Sequence, residues 1–156
     1  MTRESLIELM SQVTGKAKTT LQEKGAVAPV ALLVLGTKIY GITLEFNNER
    51  EKDMTKTMIK GAAKSSGAQA VITIMEAWTA TPENGVLPDC RVSEMPNRRE
   101  CIVVTGVSAY HKFMTMVEFG RDGDRIILGD EMPFHQCFDS SFTDGIWESP
   151  TKSAFN

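Results

Sequence analysis

A carboxylate within an apolar segment is the feature of this sequence that points most directly to chemistry. The segment "AVITIMEAWTAT", residues 70–81, is typical of a buried strand except at Glu76. Strand alternation places Glu76 on the same side as Ile72, Ile74 and Trp78. An ionised carboxylate there is costly unless it reaches water, takes up a proton, or finds a cation and hydrogen-bond donors.

Two arginines are the candidate cations. Arg98 and Arg99 open the next predicted strand in "NRRECIVV", and alternation lets only one of them face Glu76; the pattern leaves open which. Glu100 shares a face with Arg98. An arginine fork matches a carboxylate at two points. The favoured interpretation is an ion pair at the base of the intervening loop. The other is a ligand pocket or general acid/base site, whose candidates are Glu76, Trp78, Arg98, Arg99 and Glu100.

The loop over residues 79–97 contains three prolines and no sustained period. Loops longer than about 12 to 15 residues are uncommon in compact domains unless they bind ligands, act as lids or are disordered. The sequence leaves these alternatives open.

A row of lysines gives a weaker candidate for anion contact: Lys52, Lys56, Lys60 and Lys64. They recur at four-residue spacing opposite Met54, Met58 and Ala62 of a predicted helix. A solvated helix face is the favoured interpretation of this row.

Metal and cofactor sites are not predicted. Cys90, Cys101 and Cys137 are odd in number and widely spaced, so we expect reduced thiols. His135 and Cys137 could join Cys90 around zinc, but the usual pairs of closely spaced ligands are absent from the sequence. The sequence also contains neither a nucleophile elbow nor a phosphate-binding glycine loop.

The elements that must position these residues follow from periodicity and turn residues. The predicted elements are helix 2–23, strands 29–35 and 39–46, a helix from Asn47 or Asn48 to Gly67, strand 70–78, and three further strands in "RRECIVVTGVSAY", "KFMTMVEFG" and "RIILG". This order, α-β-β-α-β-β-β-β, predicts a single α+β domain with a mostly antiparallel sheet of five to six strands.

Length and composition fit one soluble domain. The chain has 156 residues, 42% of them hydrophobic, and a net charge of −3. We expect residues 1–130 to form the domain, and residues 131–156 to form an aromatic-containing tail docked on the domain or on a protein partner. The mild negative charge disfavours nucleic-acid binding. The absence of a signal-like or membrane-spanning apolar run in the sequence favours the cytoplasm.

Coverage of the sheet favours self-association. Residues 30–35 are apolar throughout, so both faces of that strand should be covered. Two helices cannot easily cover both faces of such a sheet. Either the helices divide between the two faces, or a second subunit or the tail covers the remainder; we expect a homo-oligomer.

The combination of "EAW", a proline-containing loop and "PNRRE" resembles small uncharacterised bacterial or phage proteins with the same element order, over roughly residues 2–130. The resemblance implies no activity and directs attention to Glu76, Trp78, Arg99 and Glu100. The order is also similar to roadblock-like and profilin-like modules, and its first half to cytidine-deaminase-like folds. The deaminase motifs His-x-Glu and Pro-Cys-x-x-Cys are absent from the sequence, which argues against a zinc deaminase.

Two functional hypotheses remain. The first is a non-catalytic binding or assembly module acting as a homo-oligomer, which the lack of a catalytic motif favours over an enzyme. The alternative is a small-molecule-binding protein or metal-independent enzyme that uses Glu76 and a nearby arginine beneath the 79–97 loop.

Overall fold

The chain folds into two helices and one antiparallel sheet. A computed structural model describes residues 1–85, 89–136 and 142–147. The elements are α1 (Arg3–Lys24), β1 (Val30–Leu35), β2 (Lys38–Thr43), α2 (Glu49–Ser66), β3 (Ala70–Thr79), β4 (Arg99–Ser108), β5 (Lys112–Asp122), β6 (Arg125–Glu131) and β7 (His135–Gln136). The predicted α+β class, single domain and element order are confirmed, and β7 adds a two-residue strand.

The sheet has the strand order β2-β1-β3-β4-β5-β6, with β7 paired to β5. Every pair is antiparallel. Thr79 pairs with Arg99, so the end of β3 lies beside the start of β4. The α1 face of the sheet is defined by Ile72, Ile74, Glu76 and Trp78 of β3, and the α2 face by Val71, Thr73, Met75 and Ala77.

Helix α1 packs mainly on β3, β4 and β6. The Thr2 hydroxyl accepts a hydrogen bond from the Ser5 amide at its start, and Gly25 ends it with φ of 77°. Its buried side chains are Leu6, Met10, Val13, Thr14, Ala17 and Leu21. At Gly106 a Cβ would collide with the Met10 side chain, so this glycine allows helix and sheet to approach closely.

Helix α2 buries a different face from the one predicted. Its buried residues are Thr55, Ile59 and Ala63, while Met54 and Met58 are 63% and 51% exposed. The face of α2 that packs on β1 carries Ile59 between the smaller side chains of Thr55 and Ala63, so the helix buries this face although the methionines are larger and hydrophobic. The sequence pattern predicts an apolar stripe through Met54, Met58, Ala62 and Ile59; this is wrong at the two methionines, whereas Ile59 is buried and Ala62 packs, partly buried, against the core.

Strand β1 is incompletely covered on both faces. On the α2 face Ala31 and Leu33 are buried and Leu35 is half-buried; on the α1 face Val34 is buried, and Val30 and Leu32 are half-buried. Because α1 packs towards β4 and β6, it leaves the Val30 and Leu32 end of its face open. The prediction that both faces of β1 are covered therefore fails at Val30, Leu32 and Leu35.

The loop after β3 contains two short 3-10 turns, at Glu83–Gly85 and Val92–Glu94, and residues 86–88 lie outside the described residues. Near the C-terminus, Phe142 and Ile146 are buried in the cluster formed by α2, β1 and β3. The rest of the predicted tail beyond Gln136, residues 137–141 and 148–156, lies outside the described residues. Neither described helix is long and apolar enough to cross a membrane.

Candidate functional site

Glu76 binds the backbone of the connection between α1 and β1. Its Oε1 accepts a hydrogen bond from the Val27 amide at 2.8 Å. Val27 is buried, whereas the Glu76 side chain is exposed on the outer half of β3. The carboxylate thus lies where the apolar strand reaches water, and it satisfies an amide that the connection leaves without a strand partner.

The two predicted arginines lie on opposite faces. The Arg98 guanidinium stacks over the Trp78 ring at 5.0 Å and donates to the Met95 carbonyl at 3.2 Å. Arg99 forms an ion pair with Glu118 at 3.5 Å on the α2 face. Among the described residues, neither arginine forms an ion pair with Glu76. The expected ion pair is replaced by the Val27 amide.

Arg121 holds the fifth predicted site residue, Glu100, and sequence reasoning missed it. Its Nε donates to Glu100 at 2.9 Å, its second guanidinium nitrogen donates to the Gly25 carbonyl at 2.8 Å, and its plane lies 5.3 Å from the Phe119 ring. A cation at the end of α1 also complements the negative end of the helix dipole. Alternation in β5 could have placed Arg121 beside Phe119, but not its contact with α1.

The five predicted site residues therefore make four separate sets of contacts, with Val27, with each other, with Glu118 and with Arg121, and do not line one pocket. Trp78 and Arg98 stack at the strand ends, with Trp78 still 44% exposed, and Glu100 and Arg121 join β4 to the end of α1. Each contact ties one chain segment to another. The arrangement stabilises the sheet end and assembles no general acid/base pair from these residues.

The lysine row contacts the chain's own aromatic and acidic side chains. Lys52 lies 5.8 Å from the Phe46 ring and Lys56 lies 5.7 Å from the Phe142 ring. Lys60 forms an ion pair with Asp144, and its hydrogen bond lowers the pKa of that carboxyl. Lys64, in the last turn of α2, is exposed. Three of the four anion-contact candidates are thus engaged in holding the 142–147 segment and Phe46.

The described cysteines differ in exposure. Cys101 is fully buried, and its thiol lies 3.5 Å from the Ala77 carbonyl; burial, with a smaller effect of Glu118, raises the pKa of this thiol. Cys90 is exposed, and Cys137 lies outside the described residues. The part of the chain that the structure describes contains no cluster of three or more His, Cys, Asp or Glu placed to hold a metal ion.

A groove of about 340 Å³ opens between α1 and the β1 end of the sheet. Its lining is mostly apolar: Val13, Lys16, Ala17, Thr20, Val27, Ala28, Pro29, Val30, Leu32, Thr43 and Ile74. Neither Glu76 nor Trp78 is among the described lining residues. The groove follows from the position of α1, which leaves β1 and β2 uncovered on this face.

The two edges of the sheet differ in their exposed side chains. On β2, Ile39 and Tyr40 are 46% and 53% exposed, and no charged residue lies between Ile39 and Thr43. On β6, Ile127 is 51% exposed, but the strand begins at Arg125, ends with two acidic residues, and shifts register against β5. Charges and bulges are the usual means of preventing edge-to-edge pairing. Strand β6 has both, whereas β2 carries only Lys38 at one end.

Comparison with known proteins identifies a family. Residues 1–155 match the family model described as bacteriophage lambda protein ea47. The chain belongs to this family. Membership confirms the resemblance to small phage proteins, and the family description names no activity. Searches of curated proteins and of solved structures returned no match.

Proposed function

We propose that this protein is a non-catalytic assembly module that acts as a homo-oligomer in the cytoplasm. The observation that carries the proposal is the uncovered apolar surface at the β1–β2 end of the sheet. On the α1 face, Val30 and Leu32 are half-buried and Ile39 is about half exposed; Tyr40 is about half exposed on the opposite face. Contiguous exposed apolar surface of this kind marks interaction sites in soluble proteins.

The contacts of the polar residues favour assembly over catalysis. Glu76, Arg98, Glu100 and Arg121 each contact another segment of the same chain, Arg98 by stacking on Trp78 and the other three by hydrogen bonds. The alternative, a small-molecule site using Glu76 and an arginine, has less support, because the groove beside α1 is lined by other described residues.

The mass of the protein in solution tests the proposal. Light scattering after size-exclusion chromatography, over a wide range of protein concentration, should give a mass above the monomer value of 17.2 kDa. Ile39→Lys should lower that mass, because it places a charge on the open apolar edge.

The matched control is Ile127→Lys, which changes an equally exposed isoleucine on the opposite edge. It should leave the mass unchanged. A wild-type protein that stays monomeric at every concentration would overturn the proposal.

A further inference from the structure

The direction of the β2 backbone groups shows what kind of strand this edge can accept. The Gln69 amide donates to the Val34 carbonyl, so the backbone N–H and C=O groups of the even-numbered β1 residues point towards β3. The Leu44 amide donates to the Pro29 carbonyl. The backbone groups of the odd-numbered β1 residues therefore point towards β2 and form hydrogen bonds with the backbone of its even-numbered residues. The N–H and C=O groups of Ile39, Gly41 and Thr43 therefore point outwards, away from β1.

We propose that β2 pairs antiparallel with β2 of a second copy, with Gly41 on the two-fold axis, to form one continuous sheet. This inference rests on the proposed homo-oligomer and names its interface. The axis is perpendicular to the sheet, so opposed residues lie on the same face. Gly41 then exchanges both hydrogen bonds with the second copy's Gly41, and Ile39 does so with the second copy's Thr43. Each outward backbone group of β2 obtains a partner.

The side chains of β2 are complementary to themselves in this register. Tyr40, on the α2 face, lies opposite the second copy's Ile42, and aromatic with β-branched is a stabilising cross-strand combination. Gly41 is open on the α1 face, where an added Cβ would meet only ordinary contacts with Leu32 and Val30, both at 3.7 Å. No bulky side chain therefore stands at the centre of the interface.

The charges at the two ends of β2 favour a second copy in the antiparallel direction. The centre of the strand is uncharged, Lys38 lies at one end, and Glu45 follows the other. Antiparallel pairing in this register places Lys38 opposite the uncharged Leu44 of the second copy, one residue from Glu45, and keeps the two Lys38 side chains at opposite ends of the interface. Parallel pairing would place Lys38 beside the second copy's Lys38, which is repulsive. The edge is thus self-complementary in charge in one direction only.

Disulfide trapping tests the register, in full-length protein with Cys90 and Cys137 replaced by serine. Tyr40→Cys and Ile42→Cys form opposed positions that are not hydrogen-bonded, where Cα atoms lie about 4.5 Å apart and a disulfide fits. Mild oxidation of an equal mixture of the two single variants should give a covalent dimer on a non-reducing gel. Either variant oxidised alone should remain largely monomeric.

Two further variants complete the design. Gly41→Cys alone should cross-link with itself, since only this residue faces its own copy. Ile127→Cys, on the opposite edge, should not. Self-linking of Tyr40→Cys, or equal cross-linking of Ile127→Cys, would overturn the inference.

The mass measurement separates this result from the proposed function. An oligomeric wild-type protein whose Gly41→Cys variant does not cross-link would leave the assembly module standing and overturn the β2 interface. A monomeric wild type would overturn both.

Discussion

Glu76 shows how one polar side chain in the outer half of an apolar strand can serve the hydrogen bonding of a neighbouring connection. Its carboxylate completes the hydrogen bonding of a buried amide at Val27, in a connection that has no strand neighbour at that point. A buried amide left without a partner costs about 1 to 3 kcal/mol, which exceeds the cost of an exposed carboxylate.

Substitution of Glu76 should therefore affect stability. Glu76→Ala should lower the free energy of unfolding by about 1 to 2 kcal/mol, because the Val27 amide loses its acceptor. Glu76→Gln keeps an acceptor oxygen and should cost less than half as much. Urea unfolding monitored by circular dichroism measures both. Equal losses in the two variants would mean that the carboxylate charge, not the hydrogen bond, is what matters.

Gly106 is a second position where a single residue controls the packing of α1. Gly106→Ala should destabilise the protein by about 1 to 3 kcal/mol, because the new methyl group competes with the Met10 side chain for the same space. The double variant Met10→Ala with Gly106→Ala should lose less stability than the sum of the two single variants. Thermal unfolding of the four proteins gives the coupling. If the losses of stability in the two single variants simply add, the close approach of Met10 to Gly106 is contradicted.

At the scale of elements, the 142–147 segment near the C-terminus packs against α2 and holds it in place. Residues Phe142 and Ile146 cover the buried end of the α2 cluster, while Lys56 and Lys60 meet this segment through Phe142 and Asp144. Lys56 and Lys60, the middle two residues of the lysine row, therefore hold the 142–147 segment to the helix.

This fastening should depend on pH. The pKa of Asp144 is lowered in the folded state, chiefly by the hydrogen bond from Lys60, so its contribution is present above the unfolded carboxyl pKa and is lost as pH falls through the folded value. Both side chains are partly exposed, which limits the effect to about 0.5 kcal/mol. Asp144→Asn should be slightly less stable than wild type near neutral pH, with the difference disappearing in acid.

A double-mutant cycle isolates the interaction. In the Lys60→Met background, Asp144→Asn should no longer change the pH dependence of the free energy of unfolding. An undiminished effect in that background would show that Asp144 acts through another partner.

The sequence predicted the elements well because their signals are local. Thr2, Asn48, Gly25 and Gly67 cap the helices where periodicity begins and ends, and alternation correctly grouped Glu76 with Trp78. The choice of helix face was not local. Both sides of α2 offered apolar residues, and Ile59 faces inwards because it packs in one cluster with β1, β3 and the 142–147 segment, which lie far from it in the sequence.

The candidate site was predicted less completely for the same reason. Alternation shows that Arg98 and Arg99 face opposite ways, but nothing near Glu76 in the sequence reveals the Val27 amide as its partner. Arg121 lies far along the chain from both Glu100 and Gly25, and its two contacts depend on how α1 ends above the sheet. Such pairings are properties of the fold rather than of a segment.

At the scale of the whole molecule, one helix on each face is too little for this sheet. Helix α1 covers β3, β4 and β6 on one face of the sheet, and α2 covers β1 on the other face. The β1–β2 end of the α1 face is therefore left open. A continuous sheet through two copies of β2 would remove the unprotected edge, the usual liability of open sheets.

Self-association should couple stability to concentration. The midpoint of thermal unfolding of the wild-type protein should rise with protein concentration, because a folded oligomer is favoured by mass action. The Ile39→Lys variant should unfold at a midpoint independent of concentration, while Ile127→Lys should behave as wild type. A wild-type midpoint that does not change over the same range would contradict assembly in the folded state.

The position of Cys101 has a consequence for how the protein opens. This thiol sits on β4, in the centre of the sheet, fully buried and beside the Ala77 carbonyl of β3. Thiol reagents attack the thiolate, which both burial and the raised pKa suppress. In a protein whose other two cysteines are replaced by serine, the rate of alkylation at Cys101 would therefore measure how often β3 and β4 separate. This residue is thus a natural probe of the rate at which the sheet opens.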